Sequence, residues 1–257
     1  MARLKKNENY FSPEKRDLEY WKGIEEVIKE NNITMNFLSN HFNSFVMRRH
    51  SNIYLAYYEI FKKVVNLPGC FGEFGVYWGS GLFSWLNLME TFLPLDRGRK
   101  LYGFDDFEGF NRKVENFEES AVEYINEITG NFIAPENVID KLIDIKNSDN
   151  LLPDHKRVKL YKGNINSSWE KFRQENPGVR FCLACIDFNV YQPTKFILHE
   201  INNLIVSGGI IVLRGYGVKP WEGESKSVDE FLEENKDSYQ LKNIDFSFLP
   251  AAYLIKI

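Results

Sequence analysis

The feature that most constrains this chain is a regular alternation, from Cys70 onward, of short apolar runs with segments of helical periodicity. The runs are CFGEFGV, KLYGF, VKLYKG, FCLACIDF and GGIIVL. Candidate helices lie between them from Gly81 to Phe92, near Trp169 and after Pro193, with a polar, irregular stretch at residues 111–153 expected to hold two more. Short strands joined by helix-length connections predict parallel pairing, with helices over both faces of the sheet. Two further candidate strands, residues 239–244 and 252–257, follow a helix around 227–234 and are joined by a short loop. A hairpin there gives the sheet one antiparallel strand. The expected fold class is α/β, Rossmann-like, with a mostly parallel seven-stranded sheet and helices on both faces.

Ahead of this core the first 67 residues read as a helical cap, so that residues 1–257 form a single domain with the core at 68–257. Ser12-Pro13 has the chemistry of a helix start. Leu18, Trp21, Ile24 and Ile28 then recur at helical spacing. A second helix is expected at 35–45 and a third at 53–65, stopped by Leu67-Pro68-Gly69. No run of about 18 apolar residues predicts a membrane span, and the basic N-terminus lacks the apolar stretch of a secretory signal. Net charge is −4 with the signs mixed, so no basic block marks a nucleic-acid partner. Cys182 and Cys185 form a C-x-x-C within FCLACID. On a strand an offset of three sends the two side chains to opposite faces, which predicts buried, reduced thiols and a cytoplasmic protein.

In an open parallel sheet, ligands sit beyond the carboxyl ends of the strands. After the first strand comes Glu73-Phe-Gly75-Val-Tyr77-Trp-Gly79-Ser80-Gly81, leading into a helix. Glycines there let the backbone turn sharply and approach a ligand closely, and Glu73 is placed to hold a cationic amino group. Asp105 follows the second strand, suited to ribose hydroxyls. Gly163 and Asn164 follow the third, where an amide can read an adenine edge. Each feature also has a plain structural reading, as a tight connection or a helix cap; their joint placement after three successive strands is what points to a nucleotide-like cofactor. A G-x-G-x-x-G dinucleotide fingerprint through Gly79 and Gly81 fails at Ser84, and the phosphate-binding G-x-x-x-x-G-K-[ST] loop is absent.

GEFGVYWGSG, KLYGFDDFEGF and IDFNVYQPTKFILHEINNLIVSGGIIVLRGYGVKPWEGE together resemble the macrocin O-methyltransferase (TylF-like) family, from about Pro68 to the C-terminus. The resemblance implies a class I S-adenosylmethionine (SAM) methyltransferase acting on a sugar hydroxyl, nucleotide-linked or part of a glycan or natural product. It places Glu73, Gly75, Tyr77, Gly79 and Ser80 around the methionine part of SAM, Asp105 at the ribose, Phe107 beside the purine, and Gly163 and Asn164 near the adenine. It also sets Asp187 between methyl donor and acceptor, and Tyr191, Arg214, Trp221 and Glu222 along the acceptor pocket. Core packing is an equal reading for Tyr191 and Trp221.

In one respect the sequence departs from the family pattern. The acidic pair expected after the fifth strand, which with the fourth-strand Asp binds a divalent metal, is replaced by Arg214 and Gly215, and the second acid of the fourth-strand motif by Asn189. Hard cations require carboxylate-rich ligation, so no metal is expected. Asp187 is the preferred base or hydroxyl-orienting group, with a SAM-orienting role as its alternative and His199 as a weaker candidate base. Two other readings stay open at this point: a SAM-binding partner subunit that has lost catalysis, and a metal-independent enzyme for a phosphorylated or nucleotide-linked sugar with Arg214 on the phosphate. Assembly as a homo-oligomer is also open.

Overall fold

A computed structural model describes residues 15–109, 118–119, 121–124, 133–247 and 249–257. These form two compact units, one ending at Asn52 and one spanning Ile53–Ile257. The helix start expected at Ser12-Pro13 lies outside the described residues, as does much of the polar stretch after Phe110. In the first unit, α1 (Lys15–Glu30) precedes α2 (Met35–Asn40) and α3 (Phe42–Phe45). The helix expected at 35–45 is thus two helices, parted at His41, whose φ of −120° leaves the helical region. Thr34 caps α2 by accepting from the Phe37 amide at 3.3 Å. Trp21, Ile24 and Ile28 line an apolar groove with Leu38, Phe42 and Phe45, whereas Leu18 faces outward.

In the second unit the alternation becomes a seven-stranded sheet in the order β3-β2-β1-β4-β5-β7-β6. The strands are β1 (Cys70–Phe74), β2 (Leu101–Asp105), β3 (Val158–Lys162), β4 (Phe181–Ile186), β5 (Ile205–Leu213), β6 (Tyr239–Asn243) and β7 (Ala252–Lys256). β7 runs antiparallel to both of its neighbours, and the remaining pairs are parallel. The central strands read as apolar runs because both of their faces are covered; every residue of β4 is buried.

One face packs on α4 (Arg48–Val64), α5 (Ser80–Phe92) and α6 (Glu136–Ser148), with Tyr57, Phe61, Trp85 and Ile139 in its core. The other packs on α7 (Ile165–Glu175), α8 (Tyr191–Asn202) and α9 (Glu222–Glu234), with Trp169, Phe172, Leu198 and Phe231. Pro193 sits in the first turn of α8, which begins two residues before it, and α9 starts at Glu222, well ahead of the expected 227. Among the described residues, no helix is long and apolar enough to cross a membrane.

The two cysteines overturn the parity reading. Cys182 and Cys185 are free and buried, yet both belong to the same core cluster. The register of β4 shifts at Cys182 against both of its neighbours, and one residue inserted in a strand resets which side chains share a face. Cys182 lies on the Gly69 and Cys70 carbonyls, at 3.4 and 3.5 Å, and Cys185 lies against Glu73.

Candidate active site

The strand order reverses between β1 and β4, and an α/β sheet opens its ligand crevice at such a point. The loops leaving β1, β2, β4 and β5 converge there. Gly75 (φ +100°) ends β1 so close to the next strand that a Cβ would stand 2.4 Å from the Asp187 carbonyl oxygen, a contact only glycine permits. Tyr77, Phe107 and Asn189, one in each loop after β1, β2 and β4, hold left-handed φ angles of 50°, 57° and 62°. Three non-glycine residues in that region at one edge mark the strained backbone that functional sites concentrate.

Asp105 holds this edge together. Its Oδ2 accepts from the Val76 and Tyr77 amides at 2.7 and 2.9 Å, and its Oδ1 from the Phe107 amide at 2.8 Å. The carboxylate expected to meet a ribose therefore shapes the glycine-rich turn, with three of about four lone-pair positions engaged. Gly163 donates its amide to the Asp105 carbonyl at 3.0 Å. The Asn164 side chain caps α7, accepting from the Asn166 amide at 2.9 Å. Tyr77 and Ser80 are exposed where α5 begins, behind the left-handed Gly79.

Beneath the turn lies a set of ionisable side chains that sequence spacing alone does not connect. Glu73 points inward from β1, 1% exposed, and its Oε2 accepts from Trp85 Nε1 at 2.9 Å. A Cβ at position 81 would fall 1.9 Å from Glu73 Oε1, so Gly81 supplies the space the carboxyl occupies. Desolvation, reinforced by the nearby charge of Asp187, pushes the Glu73 carboxyl up to about 8. Asp187 is also raised; desolvation outweighs the pull of Arg214 and the hydrogen bond from Asn189 Nδ2 at 3.1 Å. Arg214 Nε stands 3.3 Å from Asp187 Oδ2, the two side chains 16% and 20% exposed, so this pair is the part of the set that an incoming molecule can reach.

Sequence reasoning passed over three of its neighbours. Tyr57, on α4 and fully buried, accepts from Arg214 Nη1 at 2.6 Å. Trp85 packs edge-on against the Tyr57 ring, centroids 4.3 Å apart. Glu224 Oε1 accepts from the Gly215 amide at 2.8 Å, while its Oε2 is buried without a hydrogen-bond partner among the described residues; burial raises this carboxyl to about 8. Three helices, α4, α5 and α9, bring these residues in, and no local motif announces them.

The other candidates lie further out. Tyr191, first residue of α8, donates its amide to Glu118 at 2.6 Å and its hydroxyl to Glu230 at 2.7 Å, tying α8 to α9. Trp221 packs over Gly215, where a Cβ would meet its side chain at 2.9 Å. Glu222 opens α9. His199 is about 12 Å along α8 from Tyr191, against Phe231 and 3.6 Å from Glu234.

These residues do not fit the divalent metal that the resemblance implies. Of the positions that would ligate it, 189 carries an amide, 214 a guanidinium already paired with Asp187, and 215 no side chain and no room for one under Trp221.

Comparison with known proteins settles the class. The family model for macrocin-O-methyltransferase (TylF) matches residues 45–250. The chain belongs to that family. It is a SAM-dependent O-methyltransferase of sugar hydroxyls, and nothing favours the reading as an impaired partner subunit. Its fold is that of the calicheamicin methyltransferase CalS11, with TM-score 0.81 at 22% identity over 95% of this chain and 93% of that one. An apo structure of CalS11, described as a TDP-rhamnose 3'-O-methyltransferase, gives TM-score 0.73 at 20% identity over 95% of each chain. The O-methyltransferase NovP gives 0.59 at 16% identity over 81% and 79%. No curated protein sequence matches significantly.

Proposed function

We propose that this methyltransferase works without a metal, on a sugar carried by a nucleotide. Arg214 serves as the fixed cation of the site and Asp187 as the group that takes the hydroxyl proton. The observation that carries this reading is the Arg214–Asp187 pair itself, at 3.3 Å beside a glycine that leaves no acid at position 215. The acceptor class follows the calicheamicin relative, described as acting on TDP-rhamnose.

SAM supplies an electrophilic methyl on a sulfonium. As the acceptor oxygen takes the methyl that bound SAM would supply, leaving the neutral thioether, the Asp187 carboxylate would accept the hydroxyl proton. The protein's task is alignment and proton acceptance. Gly75, Tyr77, Gly79 and Ser80 would hold the methionine end, Asp105 with Phe107 the ribose and purine, and Gly163 with Asn164 the adenine. Tyr191, Trp221 and Glu222 border the acceptor. Asp187, whose pKa burial raises from its ordinary value, is the better base for it. The guanidinium opposes that rise and offers N–H donors to the acceptor oxygen.

Labelled methyl transfer from SAM to a panel of nucleotide-linked and unlinked sugars tests this. Turnover on a nucleotide-linked sugar, reduced at least 100-fold in Asp187→Asn with SAM affinity kept, is the expected result. Turnover confined to unlinked sugars, or a fully active Asp187→Asn, overturns it.

A further inference from the structure

We infer that Tyr57 is a positioning residue for methyl transfer, a neutral hydroxyl ligand that fixes the orientation of the Arg214 guanidinium. This rests on the role of Arg214 proposed above. A buried phenol needs a hydrogen-bond partner, and Tyr57 is fully buried with its Oη 2.6 Å from Arg214 Nη1, in a charge-assisted bond. The two residues lie 157 positions apart, so the bond joins the end of the sheet to α4.

The surroundings hold the hydroxyl still. The Tyr57 ring meets Trp85 edge-on, and Trp85 in turn donates to Glu73. A Cβ at Gly81 would come within 3.1 Å of Tyr57 Oη and 1.9 Å of Glu73 Oε1, so the phenol and that carboxyl border one small gap.

Neutrality is what makes this partner useful. Desolvation lifts the phenol well above its ordinary value, so it carries no charge. An acid in its place would neutralise the guanidinium; an apolar residue would leave an N–H buried without an acceptor. A tyrosine takes one donor and leaves the positive charge to Asp187 and the substrate. Glu224 adds a second hold, on the Gly215 amide next along the chain. A guanidinium that stands where a metal would stand has to be held as rigidly as a metal, and a flexible side chain is so held only when its rotamer is locked by its neighbours.

Tyr57→Phe removes the hydroxyl and keeps the ring that packs on Trp85. The expected result is a tenfold or greater fall in kcat, with acceptor KM changed less and the SAM dissociation constant by calorimetry within twofold. In a double-mutant cycle with Arg214→Lys, the double variant should be little worse than Arg214→Lys alone, because both lesions remove the same oriented fork. Side-chain nitrogen NMR should show the Arg214 Nη protons resolved in the parent and averaged in Tyr57→Phe. Should that variant fail to fold, 3,5-difluorotyrosine at position 57, a weaker acceptor of the same shape, takes its place with an intermediate fall in kcat.

Parent-like kcat in Tyr57→Phe or the fluorinated protein, with Arg214→Lys impaired, overturns the role of Tyr57 alone. Full activity in Arg214→Lys itself overturns the reading of Arg214 on which it rests. Strictly additive losses would make Tyr57 a packing residue and also overturn the inference.

Discussion

Glu73 offers a test in which sign and size both follow from the structure. Its carboxyl is buried under Gly81 and raised to about 8, by desolvation first and by Asp187 second. At pH 7 it is mostly protonated in the folded protein, whereas in the unfolded chain it titrates near the ordinary glutamate value of about 4.3. A group raised on folding stabilises fully below its unfolded pKa, and that contribution is lost as pH climbs through the folded pKa. From roughly pH 5.5 to pH 9 the parent should lose about 3 kcal/mol through this one group, at about 1.36 kcal/mol per unit. Glu73→Gln mimics the protonated form and can keep accepting from Trp85 Nε1. It should match the parent within about 1 kcal/mol at acid pH and overtake it at alkaline pH. Urea denaturation of both proteins across this range supplies the assay, the quantity of interest being the difference between the two curves. Glu224 titrates in the same window in both proteins and cancels from that difference. Parallel curves, or a Gln variant that loses ground as pH rises, would refute the placement of a protonated Glu73 in the core.

Three further outcomes follow. Gly81→Ala drives a methyl into Glu73 and should cost about 1–3 kcal/mol or more, read as a lowered melting temperature. Arg214→Met strands Asp187 without its cation and should cost about 2–3 kcal/mol, less than a fully buried pair because both side chains keep some exposure; adding Asp187→Asn should recover most of it in denaturant melts. Asp105→Ala releases the amides of Val76, Tyr77 and Phe107 and should weaken SAM binding by about 2 kcal/mol or more in calorimetry, with acceptor KM moving less.

Much of this fold is written locally. The apolar runs at β1, β4 and β5 are long enough to mark strands buried on both faces, and the hairpin at the end yields a single antiparallel strand, β7, as its short loop implies. The strand-end residues were legible for the same reason: topology sends Glu73, Asp105, Asp187 and Arg214 to one edge whatever the side chains do. Side-chain direction was less accessible. Glu73 faces the core of α4 and α5, and Asp105 turns to three backbone amides, because a buried acid goes where hydrogen-bond donors and space are found. Tyr57 was invisible because its partner lies 157 positions away, and Glu224 because no motif marks the turn that folds it back onto the Gly215 amide nine residues earlier. The cysteine parity failed at a register shift, which strand periodicity does not encode.

In the mechanism proposed above, Arg214 stands in for a metal in sugar O-methylation. This is tested most directly by labelled methyl transfer from SAM to a nucleotide-linked sugar, using enzyme stripped with a strong chelator and assayed with the chelator present. The expected rate equals that of untreated enzyme, is unchanged on adding magnesium or manganese, and is abolished in Arg214→Ala. Activity lost on stripping and restored by a divalent ion would contradict it.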